Sequence, residues 1–210
     1  GKSPMLDFRN QAIAAAMAQG QLAYYRILQK QGYLRQLDDW RSIEMHFEEW
    51  KSSSSTNTPL GYILSMEGAD PIQSPEDLQD WWNDGLRALG LAHYGPSAYA
   101  HGTASTGGLT ARGIELVKLM DELGMILDAT HLAEESFWQA LELFHGTVIA
   151  SHNNCRVLVP GDRQFSDEQI RKLIQRDAVI GSAFDNWMLY PGWVAGQTPS
   201  SVVSLENVID

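Results

Sequence analysis

Apolar and polar positions alternate on two scales along this chain, and the change of scale divides it near residue 60. Before that point the pattern is helical. Asp7 to Gln31 reads as one helix, alanine-rich from Gln11 to Gln19, and alanine has the highest helix propensity. Asp38 to Lys51 reads as a second, with Trp40, Ile43, Phe47 and Trp50 recurring at three and four positions. Ser52 to Pro59 is a polar stretch of low complexity, expected to be a mobile loop. From Leu60 on, short apolar runs alternate with amphipathic segments. The runs predict strands over 60–66, 88–92, 125–130, 147–151 and 178–184, and the segments predict helices over 75–84, 110–123, 134–144 and 167–176. Ser74 before Pro75 and Glu76, and Ser166 before Asp167 and Glu168, are helix-start signals. Gly124 and Gly146 stand where C-terminal glycines stand.

Four of the apolar runs end on a residue able to bind a metal or move a proton: Glu67, His93, His131 and His152. Strands joined by helices run parallel, with right-handed crossovers expected. Apolar strand, polar tip, then helix, repeated, is the signature of a (β/α) barrel whose site lies at the strand ends. The expected fold class is therefore α/β, a (β/α)8 TIM-type barrel, with residues 1–59 as a helical lead-in and 60–210 as the barrel segment carrying the site. Only five such strands are legible, whereas a closed barrel takes eight over about 250 residues. An open five-stranded sheet has two exposed edges, so an incomplete barrel is expected. Residues 204–210 read as the opening turns of a helix, and the start at Gly1 is neither a signal peptide nor a natural initiation; both point to a piece of a longer protein.

Composition narrows the function. With 210 residues, 44% apolar and 20% charged, the chain can bury one sizeable core. Its net charge of −11 argues against nucleic acid as a partner, since phosphate binding needs a basic surface. The single cysteine, Cys155, allows no internal disulfide, and no apolar run reaches membrane-spanning length. Compartment is not legible; bacterial cytoplasm and periplasm both stay open.

A zinc-like ion takes neutral imidazole and carboxylate, so Glu67, His131 and His152 are the candidate ligands. Any one strand-end histidine could be a packed or capping residue; several in register are harder to explain that way. His145, just before a strand, belongs to the opposite face, as a helix C-terminal cation or cap. His46 is expected to be solvated. His101, in the Gly/Ser/Thr-rich loop 101–108, lies on the right face and could touch substrate. Asp128 alternates away from His131 and suits support of a ligand better than ligation. Asp185 and Asn186 are either site lining or ordinary loop chemistry. Arg156 and Arg163 could grip a substrate carboxylate with two parallel hydrogen bonds or could be surface arginines. Trp40, Trp50, Trp81 and Trp138 fall on helices and read as packing; Trp187 and Trp193 could wall a pocket.

The segments Ile63 to Asp70, Leu89 to His93, Leu127 to His131, Val148 to Asn154 and Pro160 to Asp167 resemble the membrane dipeptidase family, the M19 metallopeptidases. The stretch His93 to Thr103 looks like a bacterial branch. The resemblance covers residues 60–184 well and the preceding helices loosely. It implies a (β/α)8 barrel with two zinc ions that hydrolyses dipeptides through metal-activated water. By position, Glu67 matches the carboxylate bridging both ions, and His131 and His152 match ligands of one. His93 matches the histidine that faces substrate and polarises the tetrahedral intermediate. Arg163, and not Arg156, matches the arginine holding the substrate's C-terminal carboxylate. Two departures stand out. The family's first-strand His-x-Asp pair and its last-strand aspartate have no counterpart here. The chain then corresponds to about the third to seventh barrel strands. A dipeptide substrate and a homodimer are the partners to test; a catalytically incomplete fragment, a metal-binding module or another binuclear amidohydrolase-type hydrolase is the alternative.

Overall fold

The computed structural model describes residues 8–52 and 58–209. The first seven residues and most of the polar stretch 52–59 lie outside the described residues, so the expectations placed there are not addressed. The helix read over 7–31 is α1, Gln11–Lys30. Asn10 sets its start: the Asn10 side chain accepts from the Ile13 N–H at 2.9 Å. Helix α2 is Trp40–Ser52.

Between them lies a strand that the apolar pattern does not predict. β1, Leu34–Gln36, pairs in parallel with β2, Leu60–Tyr62. Its signal is hidden because two of its three residues are polar. The Arg35 guanidinium ion-pairs with Glu49 of α2, and Gln36 Nε2 donates to the Asp84 carbonyl at 3.1 Å. The lead-in is thus not purely helical. The run read as one strand over 60–66 changes partner at Ile63: β2 pairs with β1, and β3, Leu64–Glu67, pairs with the next strand.

That next strand is β4, Leu86–Gly90. It is followed by β5, Ile126–Asp128, β6, Val148–Ala150, and β7, Val179–Ile180. The five strands from β3 to β7 form one sheet in sequence order, every pairing parallel. Parallel neighbours in chain order with helical crossovers are what a (β/α) barrel requires. The expected fold class holds, as a barrel segment rather than a closed ring.

The crossovers are α3, Leu78–Asn83, α4, Ala111–Leu123, α5, Glu134–Leu143, and α6, Asp167–Gln175. Local chemistry fixes their ends. Thr110 Oγ1 accepts from the Gly113 N–H at 3.0 Å, and Gly124 takes φ +72°, the left-handed cap that suits glycine. Ser166 and Gln169 form a reciprocal capping box at α6. Gly146 is no such cap: α5 ends at Leu143, and the Gly146 N–H instead donates to Asp121 Oδ1 at 2.8 Å. Two short helices follow β7: α7, Asn186–Leu189, and α8, Glu206–Ile209.

One core runs between sheet and helices. Leu89, Leu127 and Ala150 of the strands pack with Leu116, Val117 and Met120 of α4, Phe137 and Ala140 of α5, and Leu173 of α6. Of the helical tryptophans expected to pack, only Trp81 is buried; Trp40 is 73% exposed and Trp50 48%. His46 departs the other way. It is buried, with Nδ1 3.2 Å from Arg35 Nη1, because α2 turns it toward Gly61 of β2. Among the described residues, no helix is long and apolar enough to cross a membrane.

Candidate metal centre

The parallel sheet brings four distant chain segments to one edge. Glu67 is the last residue of β3, and His93, His131 and His152 lie two or three residues beyond β4, β5 and β6. Glu67 Oε1 is the common point: it lies 3.2 Å from His131 Nε2, 3.1 Å from His152 Nε2 and 3.8 Å from His93 Nε2. One donor atom each from Glu67, His131 and His152 fall within 4.8 Å of one another. Two donors bound to one ion at about 2.0–2.2 Å stand roughly 3–3.5 Å apart. The 3.1 and 3.2 Å spacings from Glu67 Oε1 to the two Nε2 atoms fall in that range, and the two-imidazole, one-carboxylate donor set suits a metal cation. The chain carries a cluster of the kind that holds a metal ion. His93 stands beside that cluster, half-exposed, and its ring meets the His131 ring at 4.3 Å.

The His131 and His152 imidazoles are each held from behind. His152 Nδ1 lies 2.9 Å from Ser151 Oγ, and His131 Nδ1 lies 3.1 Å from Thr103 Oγ1. His131 is buried and sits at φ +68°, a left-handed conformation uncommon outside glycine although histidine takes it more readily than most residues. Strain of this sort is stored where the surroundings over-determine it. Part of that constraint is Asp128. Its Oδ1 accepts from the Thr130 and Ser151 N–H groups, each at 3.1 Å. One carboxylate oxygen thus ties the residue before His131 to the residue before His152. Asp128 holds backbone beside both histidines and stands outside the ligand cluster.

The charges follow the geometry. The hydrogen bond from His131, aided by the neighbouring imidazoles, lowers the Glu67 carboxyl from 4.5 to about 2 despite partial burial. His131 is itself pushed below its usual value, because burial outweighs the bond to Glu67. The two directions agree: a neutral His131 can donate Nε2–H to the carboxylate without carrying charge into the interior.

Arg163 is buried 4% exposed beside this cluster. Its Nη2 donates to the His152 carbonyl at 2.7 Å, while its buried Nη1 has no protein partner. Burial pushes the guanidinium down, and Tyr94 and Glu67 partly offset this. Arg156 differs: Nε, Nη1 and Nη2 are committed to the Gln164 carbonyl, Glu134 and Gln169. His101 folds back on its own loop, with Nδ1 2.9 Å from the Gly108 carbonyl. His145 pairs with Asp121 Oδ2 at 3.1 Å, before β6 and away from the strand tips. Asp185 stands at the N-terminal boundary of the short α7, with no capping bond from its side chain.

Tyr94 and Thr103 belong to the geometry although neither residue type announces metal chemistry. The Tyr94 ring meets His93 edge-on at 4.9 Å and His131 at 5.1 Å. Only distance reveals them; both lie in the His93 to Thr103 stretch already singled out. A cavity of about 880 Å3 reaches from Glu67, His93 and Tyr94 to Met17 and Tyr24 of α1.

The model of the membrane dipeptidase family, peptidase family M19, matches residues 8–210. The chain belongs to this family. A metallo peptidase from Rhodobacter sphaeroides, liganded with a phosphinate mimic of the dipeptide L-Ala-D-Ala, superposes with a TM-score of 0.70 at 27% identity, covering 86% of this chain and 51% of that one. A dipeptidase tcpJ from Claviceps purpurea is 30% identical over 71% of this chain and 36% of its own length. A protein of the PQQ-III 3′ region of Acinetobacter calcoaceticus is 31% identical over 60% of this chain and 43% of its own length. The chain spans half or less of the length of these curated relatives. Within that span the M19 match includes all four strand-tip residues.

Proposed function

We propose that this chain carries the larger part of the site of a zinc-dependent dipeptidase that cleaves the amide bond of dipeptides. The observation that carries the reading is the convergence of Glu67 Oε1 with the His131 and His152 Nε2 atoms beside an arginine whose buried Nη1 is unpartnered. Glu67, His131 and His152 would hold zinc, and the ligands that a second ion would need are not among the motifs of this sequence. Bound zinc supplies Lewis-acid polarisation of a carbonyl and a water that is nucleophilic near neutral pH.

The chain's own residues do the rest. His93 borders the cavity and can donate an N–H to the oxygen on which negative charge develops. Arg163 would meet the substrate's C-terminal carboxylate through Nη1, which is buried without substrate and becomes reachable only if its cover yields, while Nη2 holds the His152 backbone. Recognition of the carboxylate and placement of a ligand then share one side chain. That arrangement favours short peptides, because the carboxylate must lie close to the scissile bond. The dipeptide mimic bound by the Rhodobacter relative supports the same substrate class.

The test is a dipeptide hydrolysis assay with added zinc. Arg163→Lys keeps the charge and loses the planar fork, and kcat/KM should fall by roughly 1.5–3 kcal/mol, the scale of a hydrogen bond to a charged group. A substrate amidated at its C-terminus should lose similarly with the unaltered enzyme and little more with the variant. Simple additivity would mean that Arg163 only holds the loop. Arg156→Lys is the control and should leave the amide discrimination unchanged. A second reading rests on the chain's short span relative to its relatives: a metal-binding piece without turnover. Zinc bound tightly with no hydrolysis by the 210-residue chain would favour it.

A further inference from the structure

We infer that Thr103 is a positioning residue for the metal site, its hydroxyl fixing the ring orientation of His131 and accepting from Nδ1–H in the ligating tautomer. The inference rests on the metal reading above and concerns how that site is tuned. Thr103 is buried, and its Oγ1 has two neighbours on one residue: His131 Nδ1 at 3.1 Å and the His131 carbonyl, to which it donates, at 3.3 Å. A threonine hydroxyl has one proton and two lone pairs. The carbonyl can only accept, so while the hydroxyl proton goes there, Oγ1 must accept from Nδ1–H. An imidazole protonated at Nδ1 presents the Nε2 lone pair, and Nε2 is the atom aimed at the Glu67 carboxylate 3.2 Å away. The same hydroxyl can turn its proton toward Nδ1 when Nε2 keeps its own proton and donates it to Glu67. Thr103 therefore follows His131 between its metal-free and ligating forms without leaving either ring nitrogen unpaired.

The backbone around Thr103 explains why this contact is rigid. Its N–H donates to the His93 carbonyl at 3.0 Å, its carbonyl accepts from the Gly95 N–H at 2.7 Å, and Gly102 and Leu132 form an isolated bridge. One residue thus links the loop of His93 to the ring of His131. The left-handed backbone of His131 turns its carbonyl and Nδ1 toward the same hydroxyl. Ser151 stands in a comparable place behind His152, but it is the adjacent residue and exposed, so water can replace it.

Thr103→Val keeps the shape and removes only the hydroxyl; Thr103→Ser restores it. Zinc alone is titrated into the unaltered chain and both variants against a competing chelator. The valine variant should bind zinc about 10- to 100-fold more weakly, the range for losing a partner behind a metal-bound histidine. The serine variant should stay within about threefold of the parent by the same comparison. Thermal unfolding of the metal-free proteins separates a tuning effect from a packing one, and the valine and serine variants should melt together. In the zinc-loaded parent, imidazole nitrogen-15 shifts should show His131 protonated at Nδ1. Equal zinc affinity in the parent and the valine variant overturns the role of Thr103 alone, as does serine behaving like valine. No zinc binding by the parent overturns both this inference and the metal reading.

Discussion

Asp128 concentrates the residue-scale logic of this protein in one oxygen. Its Oδ1 takes two backbone N–H groups, from Thr130 and Ser151, and so fixes the approach of two histidines. Asp128→Ala would strand the Thr130 N–H and leave the exposed Ser151 N–H to water, at a cost of about 1 kcal/mol by urea unfolding, whereas Asp128→Asn keeps an acceptor and should lose less. Zinc affinity should fall in the same order; equal losses would show that charge rather than acceptance matters. Titration gives a second residue-scale prediction for the metal-free chain. His131 is depressed in the folded state, so its contribution is present above the ordinary histidine value of about 6.5 and is lost as pH falls from there toward its folded pKa. Glu67 moves from 4.5 to about 2, so its contribution is present above 4.5 and is lost as pH falls toward about 2. Urea midpoints should therefore decline in two acid windows, and Glu67→Gln should shrink the lower one, which it shares with Asp39, Glu49, Glu76 and Glu206. Zinc should bind less tightly as pH falls, because its ligands must be deprotonated.

At the scale of elements, the loop from β4 to α4 does more than connect. Gly102 packs so closely that a Cβ there would lie 2.0 Å from the His93 carbonyl oxygen, a backbone atom with little freedom to yield. Gly102→Ala should cost about 1–3 kcal/mol, as overpacking does. It should also displace His93 and Thr103 together, lowering zinc affinity and any hydrolysis. Gly124→Ala is the contrast: φ is +72° with nothing near the added Cβ, so about 1 kcal/mol of stability should go with zinc affinity unchanged. The same loop shows what was legible in sequence. The strands leading to Glu67, His131 and His152 announced themselves because buried parallel strands are short apolar runs, and imidazoles and carboxylates name their chemistry. β1 stayed hidden because Arg35 and Gln36 are polar on an edge strand. Thr103 and Tyr94 stayed hidden because their part depends on distance across 28 and 37 residues of chain, from Thr103 and Tyr94 to His131, and not on residue type. Trp40 and Trp50 misled because three-and-four spacing gives a face but not what covers it.

For the whole molecule, the open sheet sets the behaviour in solution. β7 is two residues long and pairs with β6 alone among the described strands, leaving an edge of unpaired backbone groups. Val179 on it is 70% exposed and Phe184 just beyond is 65% exposed. Exposed edges of this kind template pairing with another chain. Met17, Tyr24 and Ile27 along α1 add a second apolar face. Against both stands the net charge of −11, which keeps copies apart at low ionic strength. The balance predicts association that grows with salt, since about 0.1 M screens charge beyond roughly 10 Å. Sedimentation at low salt should give a mass near 23.4 kDa, rising with concentration and with added sodium chloride. Val179→Lys places a charge on the β7 edge and should suppress the rise, as edge lysines do in natural sheets. If the lysine variant still associates and Met17→Gln does not, the α1 face is the contact. A monomer under all conditions would mean that the short β7 edge is too small to pair.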